Sequence, residues 1–231
     1  MAHAELHAVS ATEALALALR DRILSGDIPP GTRLPEIELV NRYGVARPTV
    51  REALQLLVHQ GLLQRRPNHS ASVPELTPAA VEDIFYARLP LELHTVRTLV
   101  ERGSDVAVAR LAVERLESLR EDVHWSEVVD ADLAFHVALI DAVGSVRLRR
   151  LHAALEGEIR LCVAQLRPAW HTPAALADEH RQVLDGILAG SVAAAEERMR
   201  KHLDKAVRDL TGRARELESE SGAAPGALPQ A

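Results

Sequence analysis

Residues 36–54 read Glu36-Ile37-Glu38-Leu39-Val40-Asn41-Arg42-Tyr43-Gly44-Val45-Ala46-Arg47-Pro48-Thr49-Val50-Arg51-Glu52-Ala53-Leu54. Apolar Leu39, Val40, Val45, Val50, Ala53 and Leu54 recur at helical spacing on both sides of Gly44. This predicts two short helices, 36–43 and 47–60, meeting at a sharp turn for which Gly44 supplies the backbone freedom. Burying the apolar faces leaves Arg47, Thr49 and Arg51 exposed around the first turn of the second helix. In a helix-turn-helix that end enters the major groove. There an arginine offers two donors to guanine, and a threonine bonds phosphate or meets a thymine methyl. The spacing alone also admits a helical hairpin with a solvated arginine face.

Outward from this stretch the pattern stays regular. Upstream, Leu15, Leu19, Ile23 and Leu24 mark an amphipathic helix over 12–25, stopped by Gly26, and Asp27 to Gly31 has loop chemistry. Downstream, Gly61 closes the second helix. Two β-prone stretches, 62–65 and 71–73, flank Arg66-Pro67-Asn68-His69-Ser70, a hairpin-tip composition. Residues 12–74 thus read as a winged helix-turn-helix, with a flexible stretch over 1–11 and a linker at 75–78.

Helical signals fill 79–218. Thr77 caps a helix over 78–102, and Ser104 caps the next, to about Asp122. Others run from Ser126 to Val143, from Ser145 to about Leu166, from Thr172-Pro173 to Ala189, and from Ser191 to about Glu218. Six helices joined by short loops pack most simply as an antiparallel bundle. Residues 219–231 are small residues, Gly and Pro, and read as a disordered tail. The expected class is mainly α: an N-terminal winged helix-turn-helix and a C-terminal antiparallel all-helical bundle.

Composition agrees. The 231 residues are 47% hydrophobic and only 3% aromatic, so the core is built of Ala, Leu and Val, which suits close-packed helices. Net charge is −6, yet residues 40–70 hold Arg42, Arg47, Arg51, Arg65 and Arg66 against Glu52 alone, a local +4. A basic patch on an acidic chain suits a DNA reader joined to a domain with another task. The single cysteine, Cys162, precludes an intrachain disulfide. The apolar run from Ala14 to Leu19 is short and follows acidic Glu5 and Glu13, so no secretory leader is expected. No apolar run reaches the roughly 18 residues of a membrane span. A cytoplasmic protein is expected.

Asp132 and His136 lie four apart on one expected helix and so share a face. His180 and His202 stand in similar frames on two later helices. Together they suit a divalent ion such as Zn, Ni, Mn or Fe, without choosing among them. His94, His124, His152 and His171 show no partner pattern and read as surface or core. A metal-dependent enzyme using the Asp/His cluster is the alternative. It requires an open coordination position and a nearby general base, and no paired carboxylate or nucleophile motif serves.

The words Ile23-Leu24-x-Gly26, Pro30-Gly31-x-x-Leu34, Pro48-x-Val50-Arg51-Glu52-Ala53-Leu54 and Gly61-Leu62-Leu63 fall in order over about residues 13–73. This segment resembles the winged-helix domain of the GntR family of transcription regulators. The resemblance implies DNA contacts from Arg33, Arg47, Thr49, Arg51 and the wing tip, with Arg65 and Arg66 supplying phosphate contacts. Two positions depart from the family pattern: Ala46 replaces a serine cap, and His69-Ser70 replaces a basic residue followed by glycine. The C-terminal half carries Arg88-x-x-x-Glu92, Asp132-x-x-x-His136, His180-x-x-Val183-Leu184 and His202-Leu203. It resembles the FCD ligand-binding domain of the family's FadR branch. That implies a divalent metal on Asp132, His136, His180 and His202, and a small carboxylate effector held by the metal and Arg88. The resemblance as a whole implies a homodimeric repressor on double-stranded DNA with a palindromic operator, controlled by a small organic acid and not attached to a membrane.

Overall fold

A computed structural model describes residues 10–167 and 172–220. His171, most of the expected flexible N-terminus and most of the expected tail lie outside these residues. The chain forms two compact units that divide between Pro74 and Glu75.

The first unit comprises α1 (Ala11–Leu24), β1 (Arg33–Leu34), α2 (Glu36–Tyr43), α3 (Arg47–His59) and β2 (Ala71–Ser72). Ser10 and Glu13 form a reciprocal capping box, which starts α1 at Ala11. Leu19, Ile23, Leu39, Val50, Leu54 and Leu57 are buried and hold the three helices together. Gly44 ends α2 in the left-handed region at φ 64°, so the turn between α2 and α3 demands glycine's freedom. Ala46 gives α3 no side-chain cap, but Pro48 stands in its first turn, where the fixed φ suits a helix start.

The wing differs from the expected hairpin. β2 pairs antiparallel with β1, Arg33 facing Ser72 and Leu34 facing Ala71. The stretch 62–65 adds only a bridge from Gln64 to Ser72. The cause lies in how α3 ends. The amides of Leu62 and Leu63 both donate to the Leu57 carbonyl, at 3.0 and 3.3 Å. Both side chains are buried together instead of alternating as a strand requires. At the tip, Asn68 takes the left-handed conformation at φ 61°. Asparagine tolerates this better than most residues, so the turn forms without glycine.

The second unit holds α4 (Pro78–Arg102), α5 (Ala107–Ser118), α6 (Trp125–Ala142), α7 (Val146–Gln165), α8 (Pro173–Leu188) and α9 (Val192–Glu220). Thr77, Ser145 and Thr172 accept amide hydrogen bonds at the starts of α4, α7 and α8. Two starts differ from expectation. Ser104 does not cap α5: it belongs to the end of α4, its amide donating to the Leu99 carbonyl beside left-handed Gly103, and α5 begins only at Ala107. Val106 holds the N-cap position without a side-chain cap, and Asp105 Oδ1 just before it accepts from the Ala107 amide at 2.8 Å. His124 rather than Ser126 caps α6, its ring accepting from the Ser126 amide.

α4 packs along α9, and α8 lies between α9 and α5. Val129, Leu133 and Ile159 form one part of the core, and Leu116, Val128 and Leu176 another. Gly186 on α8 allows close approach to α9. A Cβ there would sit 3.0 Å from Ala195 Cα and 3.3 Å from the Ala194 carbonyl oxygen. Gly186→Ala is expected to lower the stability of this unit in urea. Overpacking costs about 1–3 kcal/mol, against a helix-propensity gain of about 1 kcal/mol. A rise in the unfolding midpoint would show that α8 and α9 are not tightly seated. Among the described residues, no helix is long and apolar enough to cross a membrane.

Candidate metal centre and DNA-reading face

α6 presents Asp132 and His136, α8 presents His180 and α9 presents His202, all buried. His136 Nε2 lies 3.2 Å from His180 Nε2 and 3.3 Å from His202 Nε2. Asp132 Oδ1 reaches the group on one side, 3.3 Å from His180 Nε2. The three imidazoles together could hold one metal ion.

The hydrogen bonds behind the rings test that fit. His136 Nδ1 donates to Glu92 Oε2 at 2.6 Å, and His202 Nδ1 donates to Glu179 Oε2 at 3.1 Å. With the proton on Nδ1, a neutral ring turns the lone pair of Nε2 toward its neighbours. Two such lone pairs 3.3 Å apart repel unless a proton or a metal ion lies between them. Ligand atoms each about 2.0–2.1 Å from one ion are separated by roughly this distance. Carboxylates behind the rings are the usual means of fixing a ligating histidine's tautomer and raising its basicity. The residues therefore fit a divalent ion.

Electrostatics favour the same state. Burial depresses His136 to about 3 and holds His180 well below the ordinary histidine value, so both rings are neutral at pH 7. Burial raises Asp132 above the usual carboxylate value. Burial also opposes the charge on Glu92, but Arg88 and His136 outweigh it and hold that carboxyl well below its usual range. Glu179 is likewise lowered against the cost of burial by hydrogen bonds from His202 and Lys205.

A small pocket opens beside His136 and His202, lined in part by Phe85, Arg88, Asp132, Glu179 and Lys205. Arg88 is 2% exposed; its Nε donates to Glu92, while its buried Nη2 has no hydrogen-bond partner. An unpaired guanidinium donor at the wall of a pocket is suited to receiving an anion.

Three of these groups were not singled out as site residues from sequence. Glu92 was visible as the partner of Arg88, and Glu179 as the neighbour of His180, but neither spacing disclosed a contact with a histidine on another helix. His152 carried no such signal. It is fully buried on α7, its Nε2 is 3.9 Å from Glu92 Oε1, and neither ring nitrogen has a hydrogen-bond partner.

On the first unit, Arg33, Arg47, Arg51, Arg65 and Arg66 are exposed, whereas Thr49 is half-buried. Three of the arginines converge on Glu36 at the start of α2. Arg47 Nε and Arg51 Nε donate to its Oε2 at 3.0 and 2.8 Å, and Arg65 Nη2 donates to its Oε1 at 2.9 Å. Partial burial opposes the charge on Glu36, but these donors bring its carboxyl down to about 2.

Residues 11–73 match the gntR family of bacterial regulatory proteins, and residues 83–205 match the FCD domain. A Streptomyces ambofaciens HTH-type transcriptional regulator in an unstable DNA locus is 32% identical over 197 residues, spanning 84% of this chain and 82% of its own. The Escherichia coli HTH-type transcriptional repressor GlaR is 30% identical over 201 residues, 80% of this chain and 89% of its own. The crystal structure of a transcriptional regulator GntR from Rhodococcus sp. RHA1 superposes with a TM-score of 0.72 at 27% identity. It covers 87% of this chain and 97% of that one. These relatives are regulators, so the Asp/His cluster belongs to a regulator and not to an enzyme. With both halves matched in order along one chain, this protein belongs to the GntR family of bacterial transcription regulators, in the group whose C-terminal domain is of the FCD type.

Proposed function

We propose that this chain is a cytoplasmic repressor whose affinity for its operator is set by a small carboxylate metabolite bound beside a divalent metal ion. The observation that carries the effector reading is the buried Arg88 Nη2, which has no hydrogen-bond partner and belongs to a residue lining the pocket that His136 and His202 also line. Asp132, His136, His180 and His202 would hold the ion, and zinc, nickel, manganese or iron suits this nitrogen-rich set. When bound, the ion supplies a positive point for one carboxylate oxygen. Arg88 supplies two things from the chain itself: a charge that favours an anion, and a fixed donor that orients it. Glu92 holds the Arg88 Nε, so the guanidinium is aimed before the effector arrives.

The chain acts as a homodimer, placing two copies of α3 in successive major grooves of a palindromic site. Arg47 and Arg51 read bases there. Thr49, Arg33, Arg65 and Arg66 fix the reading unit on the duplex. The effector binds two states of the dimer unequally and so shifts operator affinity, with the linker at 75–78 carrying the change.

The test uses a duplex that the wild-type protein selects from a random-sequence library. Arg47→Ala and Arg51→Ala are each expected to weaken binding by about 1–3 kcal/mol. Undiminished binding by both variants rejects the assignment of base contacts. Arg88→Lys keeps the charge but loses the fork of donors. It should still bind the duplex and no longer respond to small carboxylates that release the wild type. An unchanged response rejects the role given to Arg88.

A further inference from the structure

Glu36 sits where a DNA-reading face has least apparent use for an acid. It is the first residue of α2, and three arginines of the reading face close over it. Its side chain is 13% exposed, whereas those of Arg47, Arg51 and Arg65 are 63%, 56% and 41% exposed. The acid thus lies behind the arginines and not in front of them.

The atoms engaged are informative. Arg47 and Arg51 each give Glu36 the Nε donor alone. Among the described residues, Arg47 and Arg51 make no side-chain hydrogen bond or ion pair other than those to Glu36. The Nη edge of a guanidinium is a pair of parallel donors, the arrangement that guanine O6 and N7 accept in the major groove. A long arginine side chain otherwise loses much rotamer freedom on binding. Tethering each guanidinium at Nε removes part of that loss in advance and leaves the reading edge free.

We infer that Glu36 is a specificity-determining positioning residue, which holds Arg47 and Arg51 from behind with their distal edges presented to bases. This rests on the reading of those two arginines as base contacts. A different role is conceivable for an acid in this place: it could compete with phosphate for the arginines. The two roles separate experimentally. A competitor, once removed, lets every duplex bind more tightly. Loss of a positioning residue weakens the cognate duplex, while loss of its charge strengthens attraction to any phosphate backbone.

The experiment compares the duplex selected by the wild type with a scrambled duplex of equal length, over a salt series, using the full-length protein. For Glu36→Gln, the selected duplex should bind more weakly and the scrambled one more tightly, so that their affinity ratio falls about tenfold or more. Glu36→Asp retains the charge but is one methylene shorter, and cannot span all three arginines. It should weaken the selected duplex and leave the scrambled one unchanged. Glu38→Gln removes an exposed acid from the same helix and should leave the ratio unchanged. An unchanged ratio in both Glu36 variants overturns the inference, as does tighter binding of both duplexes by Glu36→Gln. If Arg47→Ala and Arg51→Ala bind the selected duplex like the wild type, the base-contact reading has failed. If they lose binding while the Glu36 variants keep the ratio, only the positioning role has failed.

Discussion

Glu92→Ala is expected to destabilise the unit that begins at Glu75 by about 3–5 kcal/mol, the cost of stripping one member from a buried charged cluster. The carboxylate joins two elements: it receives Arg88 from its own helix and His136 from α6, and all three residues are at most 2% exposed. Alanine leaves a guanidinium in the interior with neither Nε nor Nη2 satisfied, and leaves the His136 Nδ1 without its acceptor. For a unit of this size the loss corresponds to a fall in melting temperature of the order of 10 °C. Glu92→Gln keeps an acceptor for Arg88 and should lose less. If alanine costs no more than about 1 kcal/mol, as a solvated ion pair would, the cluster is not closed to water.

Acid distinguishes the two proteins further. Glu92 has a depressed carboxyl, so its contribution is complete above the ordinary glutamate range near pH 4.3 and is lost as pH falls through the lower folded value. His136 pulls in the same direction. The unfolded chain takes up a proton near pH 6.5, whereas the folded residue does so only at about 3. Stability of the metal-free protein therefore falls as pH drops between these limits on account of that residue, and His180 adds to the fall. Asp132, raised by burial, works in the opposite sense. Urea titrations across pH 3–7 should show the wild type losing its advantage over Glu92→Ala in acid.

The elements that sequence discloses are those whose signals are local. Thr77 ahead of Pro78 and Gly103 after Arg102 bound α4 at the expected residues. Gly44 and the apolar positions around it mark α2 and α3. Pro90 stands inside α4 without ending it, because packing along α9 outweighs one lost amide. What sequence hides is decided between elements. A strand as short as Arg33–Leu34 has no period to detect, and its pairing with Ala71–Ser72 is a tertiary choice. Leu62 and Leu63 look strand-like until the end of α3 claims their amides.

The same division runs through the two sites. Asp132 and His136 are legible as an i, i+4 pair, and His180 and His202 by likeness of frame. Their supports are not. Glu92 is 44 residues from His136, and Glu179 is 23 residues from His202. On the DNA-reading face, a count over residues 40–70 sees a basic patch. Glu36 lies just outside that window, yet three of its arginines close on it.

Adding a divalent first-row ion to the metal-free protein is expected to stabilise the second unit by about 3–4 kcal/mol at 100–1,000 times the dissociation constant. The gain should vanish in His136→Ala and in His180→Ala, because each removes a nitrogen from a centre only 3.2 Å across at that edge. Binding should also carry an unusual proton signature. Exposed histidines are largely protonated at about pH 5.5 and must release protons to bind a metal. Here burial has already discharged His136 and His180 in the folded chain. Calorimetry at that pH, in buffers of different ionisation enthalpy, should find no proton release from these two rings. The folded protein has met the cost of keeping them neutral before any ion arrives. That same cost appears as the acid sensitivity of the metal-free state, so the two measurements must agree. If metal binding releases two or more protons at about pH 5.5 while the metal-free protein keeps its stability between pH 6.5 and 4, the rings titrate like solvated imidazoles. The buried three-histidine centre would then be wrong. If both signatures are present but the ion gives no gain in melting temperature, the rings are buried as described and hold something other than a metal.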